Sequence, residues 1–438
     1  MSKTSVLISG VGPVSGLGLG LPDTWARLTA GETAVAPVRA FDAGAMGATL
    51  AAEVADDFKV RNFVPKTYRK ATKVMARDIE LAVAAADLAA RDAGLSTCAN
   101  GEPDDASYAS DRIGCHIGAG LIAADLDELT DALSSSTHDD GSFDLHHWGR
   151  EGMKALTPLW LLKYLPNMLA CHVTIVHGAH GPSNTITCGE ASGGLSIGES
   201  LRVIQRGAAD MCFCGGAESN LNPMSFLRQV MTGRMYPGSD PAAIRPFDTT
   251  AAGGVTGEGG GIIALEAEDA FRARGGDPAA AYARLAGFGA SQTVHRETRN
   301  RTPDPAGRGI VSACRAALRE AQLDADAIDV VVPFGLGHPD WDGPEAAALR
   351  TLLGDRLAEV PVVATKALAG NLGAGSGGFD LAVAAQILKA QELPAMTHRP
   401  TPLDGMGAAE TSRLETVLVC ATGTGGQNTA MILQRSTS

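Results

Sequence analysis

Between Gly181 and Ile204 the chain reads GPSNTITCGEASGGLSIGESLRVI, an order that few folds accept. An extended stretch, Asn184 to Cys188, runs into a corner of small residues (Gly189, Ala191, Ser192, Gly193) and then into an amphipathic helix. A strand-to-helix corner of this kind aims its first side chain into a cavity, with the helix N-terminus behind it. Nucleophiles often occupy such corners, because backbone N–H groups there stabilise an anion. Here the corner presents the carboxylate of Glu190. A weaker second copy lies downstream: ASGGLSIGESLRVI after Glu190 is paralleled by GSGGFDLAVAAQIL after Asn371. Each helical stretch is followed by an apolar strand ending in glycines, DMCFCGGAES and VLVCATGTGGQN. Such self-similarity is the mark of an internal repeat, although Ala/Gly-rich helices can match by coincidence.

Strand and helix patterns alternate along the whole chain. VLISGVG, RIGCHIGAG, NTITC, DMCFCGGA, GGIIALE, DVVVPFG, PVVAT, TVLVCATG and TAMILQ predict short buried strands. RDIELAVAAADLAARDAG, RGIVSACRAALREAQL and GGFDLAVAAQILKAQ carry helical apolar spacing. Alternation of this kind implies an α/β protein whose sheets are covered by helices. With 438 residues, 45% of them hydrophobic and only 5% aromatic, the chain can bury a large Ala/Gly-rich core, and its length alone suggests two or three domains.

The bulk numbers exclude several functions. A net charge of −13 argues against non-specific nucleic-acid binding. It leaves room for a local basic patch, for which Arg61, Lys66, Arg69, Lys70 and Lys73 are candidates, a solvated helical face being the default reading of such a run. No apolar run reaches the length of a membrane span, and MSKTSVLISG lacks the pattern of a secretion signal, so a cytoplasmic location is expected. The eight cysteines are scattered through apolar runs and read as free thiols, with the CxC at Cys212 and Cys214 inside a strand. His172, His177 and His180 fit no standard zinc spacing and fall in what reads as a strand-and-turn stretch. No metal and no cofactor is expected.

Four segments together resemble the β-ketoacyl-acyl carrier protein synthases. GPSNTITCGEASGG is similar to that family's nucleophile segment, with Glu190 in the cysteine position. FGLGHPDWDGPE resembles the segment of the first catalytic histidine: Pro339, Asp342 and Glu345 stand five, eight and eleven residues after Phe334, as the family's residues do after that histidine. TKALAGN resembles the segment of the second histidine, with Lys366 and Gly370 retained and Asn371 in the histidine position. GTGGQN, Gly423 to Asn428, is similar to the family's gating loop, with Thr424 in place of its phenylalanine and Gly425 and Gly426 kept. The resemblance spans nearly the whole chain, from VLISGVGPVSGLG to the final strand. It implies a thiolase-like fold, two pseudo-repeated βαβαβαββ halves in an α-β-α-β-α arrangement, with an N-terminal half over 1–265 and a C-terminal half over 266–438. An insertion from about Leu133 to Met168 is expected to cap the cavity and line a subunit interface.

By the same resemblance, all three members of a Cys–His–His set are replaced, by Glu190, Phe334 and Asn371. A condensing enzyme needs a thiolate to accept the acyl group and imidazoles to bind the thioester carbonyl. Glu190 forms no stable thioester, Phe334 donates nothing, and Asn371 keeps one amide donor. Lys366 is the expected ion-pair partner of Glu190, a pairing that would keep the carboxylate ionised. Cys188 and His338 were the other conceivable nucleophile and base; a strand thiol and a loop histidine are the simpler readings. The leading expectation is a chain-length-factor-type subunit, inactive alone, paired with an active ketosynthase in fatty acid or polyketide biosynthesis and served by an acyl carrier protein. A homodimer, a malonyl-carrier-protein decarboxylase, a divergent synthase with residual acyltransferase chemistry and a non-catalytic acyl-binding module are the alternatives.

Overall fold

The computed structural model describes residues 4–101, 105–299, 301–395, 399–403, 406 and 414–436. Its twelve-stranded sheet has two arms that are built alike. After β1 (Val6–Ser15), the short strands β2 (Gly18–Leu19), β3 (Val35–Pro37) and β4 (Leu50–Ala52) form side pairings. The first arm is completed by β5 (Ile113–Ala119), β6 (Ser183–Ile186), β7 (Met211–Ser219) and β8 (Thr256–Ala267), in the order β1-β8-β7-β5-β6. The second arm holds β9 (Ala283–Gln292), β10 (Val330–Val332), β11 (Thr416–Thr422) and β12 (Gln427–Gln434), in the order β9-β12-β11-β10.

The directions match strand for strand. β1–β8 and β9–β12 are antiparallel, as are β8–β7 and β12–β11, while β7–β5 and β11–β10 are parallel. β1 and β9 join the arms through Leu7–Arg284 and Ile8–Ala283. Beside β10, where β6 flanks β5 in the first arm, Val362 bridges Val331. The strand expected at PVVAT is reduced to this contact, held by Val331 N–H to Pro361 O at 2.9 Å and Val363 N–H to Val331 O at 2.9 Å. β9 escaped the sequence reading because ARLAGFGASQ has little β-branched character; its pairing with β1 and β12 makes it a strand.

The helices are α1 (Leu21–Thr29), α2 (Arg77–Asp92), α3 (Leu126–Ser135), α4 (Leu145–Arg150), α5 (Met168–His177) and α6 (Ser192–Gln205), then α7 (Pro223–Met231), α8 (Glu268–Ala273), α9 (Arg308–Ala321), α10 (Pro339–Leu353), α11 (Lys366–Ala369) and α12 (Ser376–Ala390). α6 and α12 pack on each other between the arms, and both are buried along most of their length. α2 and α5 cover one outer face, α9 and α10 the other, which completes the five layers of the thiolase-like fold. The close approach of the two central helices requires glycine at their starts. A Cβ on Gly193 would stand 2.7 Å from Ala374 O, and one on Gly377 would stand 2.6 Å from Gly194 N. This crossing is what carries the corners at Glu190 and Asn371 to one place.

Two local expectations are corrected. His172 and His177 lie on α5, not in a strand, and each is held singly: His172 Nδ1 by the Tyr68 hydroxyl at 2.8 Å, His177 Nδ1 by Thr97 Oγ1 at 3.0 Å. Arg61, Lys66, Arg69, Lys70 and Lys73 are all exposed, but on three successive 3-10 turns between residues 60 and 74 rather than on one helical face. The segment from Leu133 to Met168 forms the end of α3, α4 and two 3-10 turns, and leaves Leu145, Met153, Leu159 and Leu161 exposed. Among the described residues, no helix is long and apolar enough to cross a membrane.

Candidate functional site

Glu190 sits two residues before α6, next to its N-cap Ala191, and is buried. Its Oε1 is ion-paired with Arg234 Nη2 and lies 3.5 Å from Asn371 Nδ2, while Oε2 accepts the Thr424 N–H at 3.2 Å. Burial pushes the carboxyl up, but the Arg234 guanidinium, its own backbone N–H and the Thr424 N–H outweigh that and hold it below the usual glutamate range. Glu190 is therefore an anion clamped from three sides.

The expected Glu190–Lys366 pair does not form. Lys366 Nζ donates to Asp380 Oδ2 at 2.8 Å, and both side chains are buried. Thr365 Oγ1 occupies the other oxygen of Asp380. Burial raises the Asp380 carboxyl, and Lys366 and Thr365 offset part of that rise. The ammonium also lies 4.7 Å from the centre of the Phe334 ring, a cation–π contact. Lys366 thus serves α12 and the aromatic ring, and the carboxylate of Glu190 is left to an arginine forty-four residues downstream of it.

Arg234 is the residue that sequence reasoning missed. It lies in the loop after α7, inside MTGRMYPGSD, which carries no motif. Besides Glu190 it donates to Gln229 Oε1 at 2.9 Å and to Thr424 Oγ1 at 3.2 Å, and its guanidinium lies 5.0 Å from the centre of the Trp341 ring. Trp341 in turn packs against Phe334 with ring centroids 5.6 Å apart. Glu345 fixes the loop below: its two oxygens accept the N–H groups of Phe334 and Gly335 at 2.8 and 2.9 Å. Asp342 does the same for Leu336, Gly337 and Phe247. Burial drives both carboxyls up, Asp342 to about 6 and Glu345 to about 7. Asn371 Oδ1 accepts from Gly373 N–H and Ser376 Oγ, which orients its amide toward Glu190. Glu190, Phe334, Lys366, Asn371, Glu345 and Thr424 are thus linked into one constellation. Gly425 and Gly426 follow Thr424 in left-handed conformations, φ 109° and 89°, in the turn between β11 and β12.

The other two candidates have structural roles. Cys188 N–H donates to Ser192 Oγ at 2.8 Å, and burial raises its thiol, the reverse of what activates a nucleophile. His338 is the N-cap of α10, its Nδ1 accepting the Asp340 N–H at 3.2 Å.

A cleft of about 830 Å³ is bounded by Arg77, Asp78, Ser219 and Glu258 and by Ile122 and Tyr164 near the cap, and Glu190 is not on its wall. Around Glu190 itself the volume is filled by Arg234, Asn371 and the Thr424 turn. Three buried carboxylates, Asp78, Glu218 and Glu258, separate the cleft from Glu190. Glu258 is held by Arg77 at 2.7 Å, and Glu218 accepts the Ala374 N–H at 2.6 Å. Asp78 receives the Ser219 N–H at 3.1 Å but has no ion-pair partner among the described residues, and burial together with the Glu218 charge pushes it to about 7. A folded pKa above the unfolded value gives stability that is full below pH 4 and lost as pH rises through about 7. Melting temperature is therefore expected to fall between pH 5 and pH 8, and Asp78→Asn to stabilise the protein at pH 8 by about 1–3 kcal/mol and by less at pH 5. Thermal melts of both proteins at the two pH values check this; an equal shift at both would remove Asp78 as the cause.

With the geometry in place, comparison with known proteins is direct. Residues 3–270 match the model of the β-ketoacyl synthase N-terminal domain, and residues 282–399 that of the C-terminal domain. The chain is 32% identical over 451 residues to an actinorhodin polyketide β-ketoacyl synthase 2 of Streptomyces coelicolor, with 98% of each chain covered. It is 31% identical over 438 residues to a granaticin polyketide β-ketoacyl synthase 1 of Streptomyces violaceoruber, again with 98% of each covered. Among solved structures, the ishigamide ketosynthase/chain length factor superposes with a TM-score of 0.80 at 25% identity, covering 99% of both chains. A ketosynthase in complex with its chain length factor from Xenorhabdus doucetiae shares the fold, with a TM-score of 0.74 at 20% identity and 98% of both chains covered.

Proposed function

We propose a structural rather than a condensing role for this chain, which belongs to the β-ketoacyl synthase family: it is a chain-length-factor-type subunit that pairs with an active ketosynthase in polyketide or fatty acid biosynthesis. One observation carries this reading. Where the fold aims a nucleophile, the chain has a buried carboxylate neutralised by Arg234, with the Asn371 amide beside it and the Phe334 ring linked to the pair through Trp341. No group there forms a thioester, and no imidazole polarises one. The Glu190–Arg234 pair acts as a plug that keeps the two central helix corners in register without chemistry.

Pairing is supported by what remains uncovered. β6 is a sheet edge, and an unpaired edge is a liability that a partner strand removes. The cap and α5 expose Leu145, Leu159, Leu161 and Ile175, apolar area of the kind that marks subunit contacts. A carrier protein fits the same reading, with the exposed basic residues of the 60–74 segment as its electrostatic seat. An intact synthase as partner gives a plugged subunit a use, as one wall of the partner's substrate tunnel.

Co-expression with an active ketosynthase homologue from the same genome, followed by size exclusion and native mass analysis, tests this. The expected result is a one-to-one heterodimer whose product length changes on Leu121→Trp, a substitution at an exposed residue just after β5. A stable self-pair that ignores the synthase, with product length unchanged by that substitution, would sink the reading.

A further inference from the structure

On the outer face of the second arm, far along the chain from the plug residues of the first, α9 and α10 enclose a groove of about 530 Å³. Its wall is a file of Arg308, Ser312, Arg315 and Arg319 along α9, all exposed, with the buried Val311 on its floor and Thr351 opposite on α10. The spacings of four, three and four residues keep these side chains on one helical face.

Several exposed arginines are neutralised locally: Arg27, Arg91, Arg272 and Arg435 each have a carboxylate oxygen within 3.0 Å. Arg308 has Asp304 at 2.8 Å. Neither Arg315 nor Arg319 has an ion-pair or hydrogen-bond partner for its guanidinium among the described residues. In a chain of net charge −13, adjacent cations left open along a groove form a local field that favours an anionic occupant.

The geometry points to an acidic α-helix of a partner protein as the occupant. From Arg308 to Arg319 the file extends about 16 Å along the helix axis. A single phosphate or carboxylate reaches one or two of these guanidiniums. A helix laid along the groove with carboxylates repeating every one to two turns reaches all three, and guanidinium forks suit such bidentate contacts. Val311 and Ala306 add a small apolar seat for the helix beneath the charged contacts.

Fluorescence anisotropy with the full chain tests this directly. The probe is a labelled helical peptide of about fifteen residues whose glutamates stand seven and four apart on one face. The control peptide has the same composition with its glutamates spread around the helix. The one-faced peptide is expected to bind at least tenfold more tightly than the control. The double reversal Arg315→Glu/Arg319→Glu is expected to weaken it at least tenfold, and Arg284→Glu, at an exposed residue of β9, to leave it unchanged. Because the two arginines are exposed, the reversal is expected to melt like the parent; should it not fold, Arg315→Ala and Arg319→Ala are to give the same ordering. Equal binding of both peptides means non-specific polyanion attraction and overturns the proposal, as does binding of neither or indifference to the reversal. Displacement of the peptide by equimolar pyrophosphate makes the groove a phosphate site instead, and the acidic-helix assignment falls.

Discussion

Purified alone and supplied with acyl- and malonyl-carrier protein, the chain is expected to give no detectable condensation product. Loss of a nucleophile from a covalent mechanism alone removes several orders of magnitude in rate, and here the carbonyl-polarising groups are lost as well. Glu190→Cys is not expected to restore turnover. The new thiol would face Arg234, whose carboxylate partner has gone, while the Phe334 ring, packed against Trp341 and the Lys366 ammonium, donates no hydrogen bond. Asn371 keeps one donor, but a thioester carbonyl bound by one amide lacks the second support. Single-turnover assays with radiolabelled malonyl-carrier protein separate the outcomes. Product at rates within a hundredfold of an active synthase would remove the structural reading, whereas slow carbon dioxide release without product would move the chain toward the decarboxylase alternative.

Glu190→Ala is expected to destabilise the fold by about 3–5 kcal/mol, the size typical of breaking a buried ion pair from one side. The Arg234 side chain, 9% exposed, would keep its contacts to Gln229 and Thr424 but lose the one carboxylate within ion-pair distance among the described residues. Glu190→Gln is expected to cost less, since an amide oxygen still accepts from Arg234 and Thr424 N–H. The alanine variant should also regain stability in acetate or formate, because the remaining pocket is a preformed carboxylate receptor: a guanidinium over Trp341, a backbone N–H and an amide donor. Urea melts with and without 50–100 mM (about) acetate, against chloride at equal ionic strength, read this out. A variant that melts like the parent, or one indifferent to carboxylates, leaves the clamp without energetic weight. Lys366→Met is expected to act separately, through Asp380 and not through Glu190.

How far the sequence could carry these conclusions depended on whether a feature was local. The strand–corner–helix segment at Glu190, its copy at Asn371 and the apolar strands that follow are patterns of neighbouring residues, so helix-covered sheets were legible before any coordinates, while the layered fold was what the resemblance to the β-ketoacyl synthases implied. The offsets that placed Phe334 at the site were legible for the same reason: Asp342 and Glu345 bind the backbone of their own loop, within eleven residues. β9 was not, because its strand state comes from being clasped between β1 and β12 and not from its own Ala- and Gly-rich residues. Nor was the partner of Glu190. Lys366 was the retained cation nearest to a recognisable motif, but the short α11 turns it toward Asp380 on α12, fourteen residues on. Arg234 reaches Glu190 only because the chain after α7 folds back over the Thr424 turn. Ion pairing in an interior follows proximity and desolvation, and both are set by nonlocal packing. Motif spacing identified Glu190, Phe334, Lys366 and Asn371 as site residues; the tertiary structure alone brought in Arg234 and decided which charge meets which.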